Sequence, residues 1–569
     1  MRKFKYIIQK YYPFILIFLL SLLYIMPQMM QKNIIFGADS HFHFNRLYDN
    51  YMQLKTHHFS IFQSNFGFDQ SGRIVNALYG PGFAWLLSII LYVVHSWSKF
   101  QIVTCFIIFF FAGVFMYLLS RRIRVNKKYA TIAALIFMAS YWITCWNYAE
   151  SYMAWGTMWM PLIAMMGIDM MEFDDHGISI IHLALIVSTL VQIHVLSTLL
   201  SVITLVPCFI IGLIKNKDKV GLLKKVVLAA LISIVLTINV WLPMMEVYST
   251  NKIIPPFPVP DMSGLTETLS LNAMNINEVG FAISLLSILA FGYLILNRKN
   301  IEITDKTLII IGLLFLIVSS KLLPWKLIGQ SIPSLQSSIQ FPYRFLTMAT
   351  VLLIPEGCKV LSKISFKNSK INYSFSGLII LATALSCVQS WQTLSQQARD
   401  NFKNISYTSQ VVREVESSDL GKGLHDISPV VKDYLPNNTG KDIYALNNAD
   451  QIYLQETLNN QKGFKKRTVK DKLIVSWYSK NNKPKRVPVF VYHNSRVVVN
   501  GKLYAHNKLH LSAYSVPKVK SKVGYNELAI SYHSKFVTAN LLRLVLFIWI
   551  CMIALLFVGY FKKLRWKHN

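Results

Sequence analysis

The sequence predicts an all-α polytopic membrane protein that carries a small extracytoplasmic β-rich domain. Three observations predict it. Mean hydropathy is +0.39, with 53% hydrophobic and only 15% charged residues, too apolar for an ordinary soluble globule. Apolar runs about 17–22 residues long, the length that matches a hydrocarbon core of roughly 30 Å, recur through residues 1–391. Between about 392 and 536 the hydropathy collapses, and short alternating segments bounded by Asn, Gly, Lys and Pro take over.

The formal net charge of +31 has its plainest cause in Lys and Arg retained in cytoplasmic loops, with affinity for anionic headgroups of the bilayer as a second contribution. No nucleic-acid partner is expected. The six cysteines lie in or beside apolar runs, without CxxC spacing, so neither a disulfide framework nor a thiolate metal site is indicated.

Arg2, Lys3 and Lys5 hold the N-terminus inside. The apolar stretch that follows is too long for a signal peptide and lacks a small-residue cleavage site, so it reads as an uncleaved first helix at about 11–30. Residues 31–80 are then an external loop, closed by Gly80-Pro81-Gly82. Three apolar runs follow, at about 82–97, 101–120 and 129–148, and the second ends in the basic loop Arg121 to Lys128. That loop faces the cytoplasm only if 82–97 is a re-entrant or juxtamembrane helix that does not cross. On this parity Asn147–Tyr152, 244–278 and Lys321–Arg344 are external, and Glu172–His176, Lys215–Lys225 and Arg298–Lys306 are internal. Twelve spans result, with both termini cytoplasmic. Strands are expected at 473–478, 487–492, 496–499 and 527–532, after an early polar, helix-compatible stretch; residues 537–569 form a last helix and a basic tail.

Charged residues inside spans are costly and mark function. Most spans are clean, Glu356 and His182 being exceptions, and the remaining acids and bases collect at the outer helix ends: Asp39, His41, His43, Arg46, Glu150, His194, Glu246 and Arg344. Asp39 reads as a general base, a metal ligand or the N-cap of a helix starting at Ser40. His41 and His43 share one side of a strand but lie about 200° apart on a helix, which weakens a two-histidine metal site. Arg46 suits a phosphate or a lipid headgroup. Glu150 stands among Trp146, Tyr148, Tyr152 and Trp155, which also read as an interfacial belt. Arg344, held by Phe341-Pro342-Tyr343 at a helix mouth, suits a phosphate leaving group.

The runs Gly37-Ala38-Asp39-Ser40-His41-Phe42-His43-Phe44-Asn45-Arg46, Tyr79-Gly80-Pro81-Gly82, Asn147-Tyr148-Ala149-Glu150, Gln192-Ile193-His194-Val195 and Gln340-Phe341-Pro342-Tyr343-Arg344-Phe345 come in a characteristic order. In this the chain resembles bacterial YfhO-type membrane proteins and the family labelled 6-pyruvoyl-tetrahydropterin synthase-related, both similar to the GT-C glycosyltransferase superfamily. The resemblance covers about residues 1–391, and Asp433-Tyr434-Leu435-Pro436 with the β-rich tail is also similar. The family more often has Trp where Tyr343 stands. The resemblance implies Asp39 as the catalytic acidic residue of the first external loop, Glu150 as an acidic residue of the second and Arg344 as the donor-phosphate contact. Arg46, His43, His194 and Gln340 join Arg344 as candidate substrate-binding residues. Should the site hold a divalent cation, Mg or Mn, its ligands would be Asp39 and Glu150.

The function implied is transfer of a sugar from a polyprenyl-phosphate donor to a cell-surface polymer, glycan or glycolipid acceptor, at the outer face of a bacterial plasma membrane. A flippase or transporter for lipid-linked glycans, and a non-catalytic scaffold for envelope assembly, are the alternatives from other classes.

Overall fold

The computed structural model describes residues 2–268, 278–364, 369–399, 419–424, 430–446 and 448–568. The helix Ser369–Arg399 runs past residue 391, and most of the polar stretch expected to follow it falls at 400–418, outside the described residues. About 65% of the described residues are helical. Among the described residues six helices are long and apolar enough to cross a membrane: Gln9–Gln31, Trp97–Arg122, Val195–Lys215, Pro342–Lys363, Ser374–Arg399 and Ala539–Gly559. The count rises to eight if each of two bent helix pairs is one span. Such a set is compatible with a helical membrane protein. Two apolar runs that a count of twelve requires form shorter helices, Ile180–Ile193 and Phe281–Leu296, as does Pro81–Val94, the run expected not to cross. At 1.5 Å per residue these reach about 21–24 Å.

The chain divides into two compact units, each assembled from three stretches of sequence. The first contains Met1–Ala38, Gln101–Ser233 and Val259–Ile405. Its helices pack through small residues, as expected where lipid gives no hydrophobic drive and close van der Waals approach must hold helices together. A Cβ at Gly156 would lie 2.2 Å from Ser197 Oγ, and one at Gly357 would lie 2.5 Å from the Leu286 carbonyl oxygen. This unit also carries ion pairs. Arg122 pairs with Asp169 at 2.8 Å and with Glu172 at 2.9 Å, and Lys359 pairs with Asp305 at 2.5 Å.

The second unit contains Asp39–Phe100, Ile234–Pro258 and Ser406–Asn569. Among the described residues its strands are β1 (Phe464–Val469), β2 (Lys472–Ser479), β3 (Pro484–Arg486), β4 (Ser495–Val499), β5 (Lys502–Tyr504), β6 (His510–Leu511), β7 (Pro517–Lys520) and β8 (Gly524–Tyr532). They form a five-stranded antiparallel sheet in the order β1-β2-β8-β4-β5 and a three-stranded one, β3-β7-β6. Alternation sets the register: Val475 faces Leu528 and Val497 faces Ile530, and all four are fully buried.

The segment expected as a strand at 487–492 is buried but joins no ladder. Pro488 has no N–H to donate, and the segment bonds irregularly instead, Val487 N to Pro517 O at 3.0 Å and Phe490 N to Ser71 O at 2.8 Å. Its alternating side chains serve two cores. Val487, Val489 and Val491 enter the core between the sheets. Phe490 and Tyr492 enter a second core with Phe62, Ile74, Leu78, Val247 and Leu435.

Candidate functional site

Asp39 stands at the N-cap position of the helix Ser40–Thr56. It is exposed, and its side chain makes no capping hydrogen bond. Behind it the helix is unusual, because the face it buries is largely polar: Ser40, His41, His43, Asn45, Arg46, Asp49, Asn50 and Gln53 are all buried. Burying such groups costs free energy unless each finds a partner. Here the partners are backbone groups of the loop that follows. Asn45 Oδ1 accepts from Phe68 N at 2.7 Å, and Asp49 Oδ1 from Phe66 N at 2.7 Å and Gly67 N at 3.1 Å. Gln53 Oε1 accepts from Ser60 N at 2.8 Å. The helix acts as a template for residues 57–80, which explains how a long loop is held in one conformation.

Arg46 is part of this template. It is 0% exposed; its Nε donates to Asn76 Oδ1 at 2.7 Å and its Nη2 to the carbonyl oxygens of Tyr79 and Gly80 at 2.6 and 2.7 Å. The expectation that Arg46 faces a phosphate or a headgroup is corrected accordingly: its guanidinium holds the turn entering Pro81. His43 is buried as well, at 3%, packed edge-on to Phe42 and Tyr79. His41 and His43 lie on a helix, hence on different sides of it.

Phe68, Asp69 and Gln70 take φ values of 52°, 57° and 50°, a left-handed turn of three non-glycine residues that costs roughly 1–2 kcal/mol per residue. It is over-determined by its surroundings: Asn45 holds Phe68 N, Lys466 Nζ donates to Asp69 O at 2.7 Å, and Ser71 Oγ donates to Phe68 O at 2.6 Å. Burial pushes the Lys466 ammonium down to about 7. The turn delivers the Phe68 ring to His41 and Phe42, with the Arg73 guanidinium 4.8 Å from its centre.

Arg73 also organises residues 431–436. Its Nη1 donates to Val431 O at 2.9 Å and its Nη2 to Asp433 O at 2.5 Å. Tyr434 has φ 66°. Its N–H donates to Ile254 O at 2.9 Å, and its carbonyl oxygen accepts from the Tyr492 hydroxyl at 3.2 Å. The ring lies 5.8 Å from that of Phe42 and 6.4 Å from that of Tyr79. The Tyr434 phenol is pushed well above its ordinary pKa, first by burial and then by the negative charge of Asp433, with Tyr248 and Asp39 adding and Arg46 opposing.

Glu150, His194, Gln340 and Arg344 belong to the other unit. Glu150 is 0% exposed and left-handed, at φ 55°, where the helix Tyr141–Ala149 ends. Its Oε1 accepts from Gln101 Nε2, which also donates to Ile35 O at 2.7 Å, while Gln101 Oε1 accepts from Gln28 Nε2 at 2.7 Å and Ile35 N at 3.0 Å. Glu150 is thus embedded in a polar network inside the helical unit. His194 separates two helices and caps the second, Nδ1 accepting from Ser197 N at 3.3 Å; burial and, to a smaller extent, the charge of Arg344 push its pKa down. Gln340 is left-handed, at φ 59°. Arg344 is half-buried, its Nη1 donating to Ile339 O at 2.9 Å and its guanidinium 4.6 Å from the Phe341 ring centre. Tyr343 stacks on Phe341 and packs against Trp142.

Among the described residues no group of three or more His, Cys, Asp or Glu is placed to hold a metal ion. The important residues absent from the sequence reading are Asp49, Arg73, Gln28 and Gln101, and Tyr434 entered it only within the run Asp433-Tyr434-Leu435-Pro436, with no role. Gln28 and Gln101 carried a signal, being polar residues in or next to apolar runs. Arg73 carried none, since its partners are backbone oxygens about 360 positions away. No protein-family model matches this chain, and no curated protein is significantly similar to it.

Proposed function

We propose that the chain is an extracytoplasmic GT-C-type glycosyltransferase of a bacterial plasma membrane, with twelve spans and both termini in the cytoplasm, moving a sugar from polyprenyl phosphate to a surface polymer, glycan or glycolipid. The observation that carries this reading is Asp39: an exposed carboxylate at the start of a helix whose buried face is largely polar and bonded to the loop that follows. Such a group is accessible to a substrate and fixed in position, as a general base must be.

Asp39 takes the proton of the acceptor hydroxyl as that oxygen attacks the anomeric carbon. The new glycosidic C–O bond forms while the bond from that carbon to the phosphate oxygen breaks, with inversion, and the phosphate leaves with the bonding pair. Activation is already stored in the donor, so no nucleotide is consumed. The donor phosphate is assigned to Arg344 on the sequence resemblance alone. Glu150 is assigned a positioning role through Gln101, because its carboxylate is fully buried.

The test is transfer of labelled sugar from polyprenyl phosphate in membranes containing the protein. Asp39→Asn at unchanged protein level should lower transfer by roughly 10²–10⁴-fold, the usual contribution of a general base. Transfer by the variant at the wild-type rate would remove Asp39 from the reaction.

A further inference from the structure

Three aromatic rings from distant parts of the chain meet beside Asp39. Phe42 lies one turn along the same helix, Tyr79 ends the loop that Arg46 clamps, and Tyr434 arrives from the strap 431–436. Their centres form a triangle with sides of 5.8, 6.1 and 6.4 Å. All three are half-buried, unlike the core aromatics Phe44 and Tyr492, and Asp39 is exposed. Tyr434 is held there at a cost: a left-handed non-glycine residue is sparsely populated and persists only where the surroundings dictate it. Four hydrogen bonds do so, two from Arg73 to flanking carbonyls, one to Ile254 and one from Tyr492. Ile254 also ties down the next residue, its N–H donating to Leu435 O at 2.8 Å.

A cluster of partly open rings next to a carboxylate has a definite ligand chemistry. The C–H face of a pyranose carries partial positive charge and lies on the negative face of an aromatic ring, while its hydroxyls donate to a carboxylate. A purely apolar ligand would leave the Asp39 charge desolvated against it.

We propose that Tyr434, with Phe42 and Tyr79, is the stacking platform for a sugar ring beside Asp39, so that residues 431–436 are part of the substrate site. The inference rests on the proposed transfer reaction for which sugar is bound, and on geometry alone for where. Tyr434 contributes affinity and orientation, whereas Asp39 contributes the proton transfer.

The experiment uses the full-length protein in detergent, with polyprenyl phosphate carrying tritiated glucose or tritiated N-acetylglucosamine as probes. Retention of each probe and its transfer are measured for wild type, Tyr434→Phe and Tyr434→Leu, with thermal midpoints to establish folding. Tyr434→Leu should raise the KM for a sugar substrate about tenfold while kcat stays within about threefold, and Tyr434→Phe should restore the wild-type KM. Equal KM values for wild type and a folded Tyr434→Leu would overturn the platform and leave the transferase reading standing. Probe retention by wild type without transfer, weakened about tenfold in Tyr434→Leu, would uphold the platform and sink the transferase. Should wild type neither retain nor transfer either probe, the platform is overturned. Should Tyr434→Leu not fold, Tyr434→Phe and Phe42→Leu are read in its place: a folded Phe42→Leu with the wild-type KM overturns the platform, and one with a raised KM upholds it.

Discussion

The Arg46 guanidinium lies 5.0 Å from the centre of the Tyr79 ring, and the same group donates to the Tyr79 carbonyl oxygen at 2.6 Å. One side chain therefore fixes both the backbone and the ring of a residue 33 positions away. Lysine carries the charge but not the fork that reaches Asn76, Tyr79 and Gly80 together. Arg46→Lys is expected to destabilise this unit by about 3 kcal/mol, read as a lower thermal midpoint and faster proteolysis near residues 79–82.

Asp49 provides a pH test. Burial pushes its carboxyl up to about 6, against the opposing effect of bonds from Phe66, Gly67 and Gln53. A carboxyl with a raised folded-state pKa favours the folded protein when protonated. Its contribution is complete below the unfolded value near 4 and is lost as pH rises through about 6. Over that window wild type should lose up to roughly 3 kcal/mol relative to Asp49→Asn. Parallel stability curves for the two proteins from pH 4 to 7 would contradict this.

Glu246, on the helix Ile238–Thr250, is 3% exposed. It accepts from Asn494 Nδ2 at 2.7 Å, from Lys535 N at 2.7 Å and from the Ser534 hydroxyl. Alanine leaves these part-buried donors without their acceptor, a loss of roughly 1–3 kcal/mol. Glu246→Ala should show increased hydrogen exchange at 493–496 and 533–537, with Glu246→Gln intermediate because it keeps one acceptor oxygen.

Legibility differed sharply between parts of the molecule. The strands at 473–478, 496–499 and 527–532 were readable because period-two alternation is a local property, and Leu473, Val475, Val497 and Ile530 fill one core. The segment 487–492 shows the same alternation for a different reason, as a divider between two cores, and the pattern does not distinguish these. Asp39 was readable as a polar residue in a dense motif. The character of Arg46 was not, because whether an arginine meets a phosphate or a backbone carbonyl depends on where Tyr79 and Gly80 fold back. Tyr434 was recoverable only in space: nothing in Asp433-Tyr434-Leu435-Pro436 announces Phe42 as a neighbour.

The interleaving of the two units has a consequence for synthesis. Residues 39–100 leave the ribosome early, but their partners from 406 onward follow about 300 residues later, a delay of about 15–60 s at ordinary elongation rates. Throughout that interval the buried polar face behind Asp39 lacks Lys466, Val431, Asp433 and the Phe490 amide that its loop engages in the finished protein. The first loop is completed by the last third of the chain. Removing the β-sheets would therefore dismantle the support of Asp39, and a loss of activity on that deletion would not by itself assign the sheets a separate task.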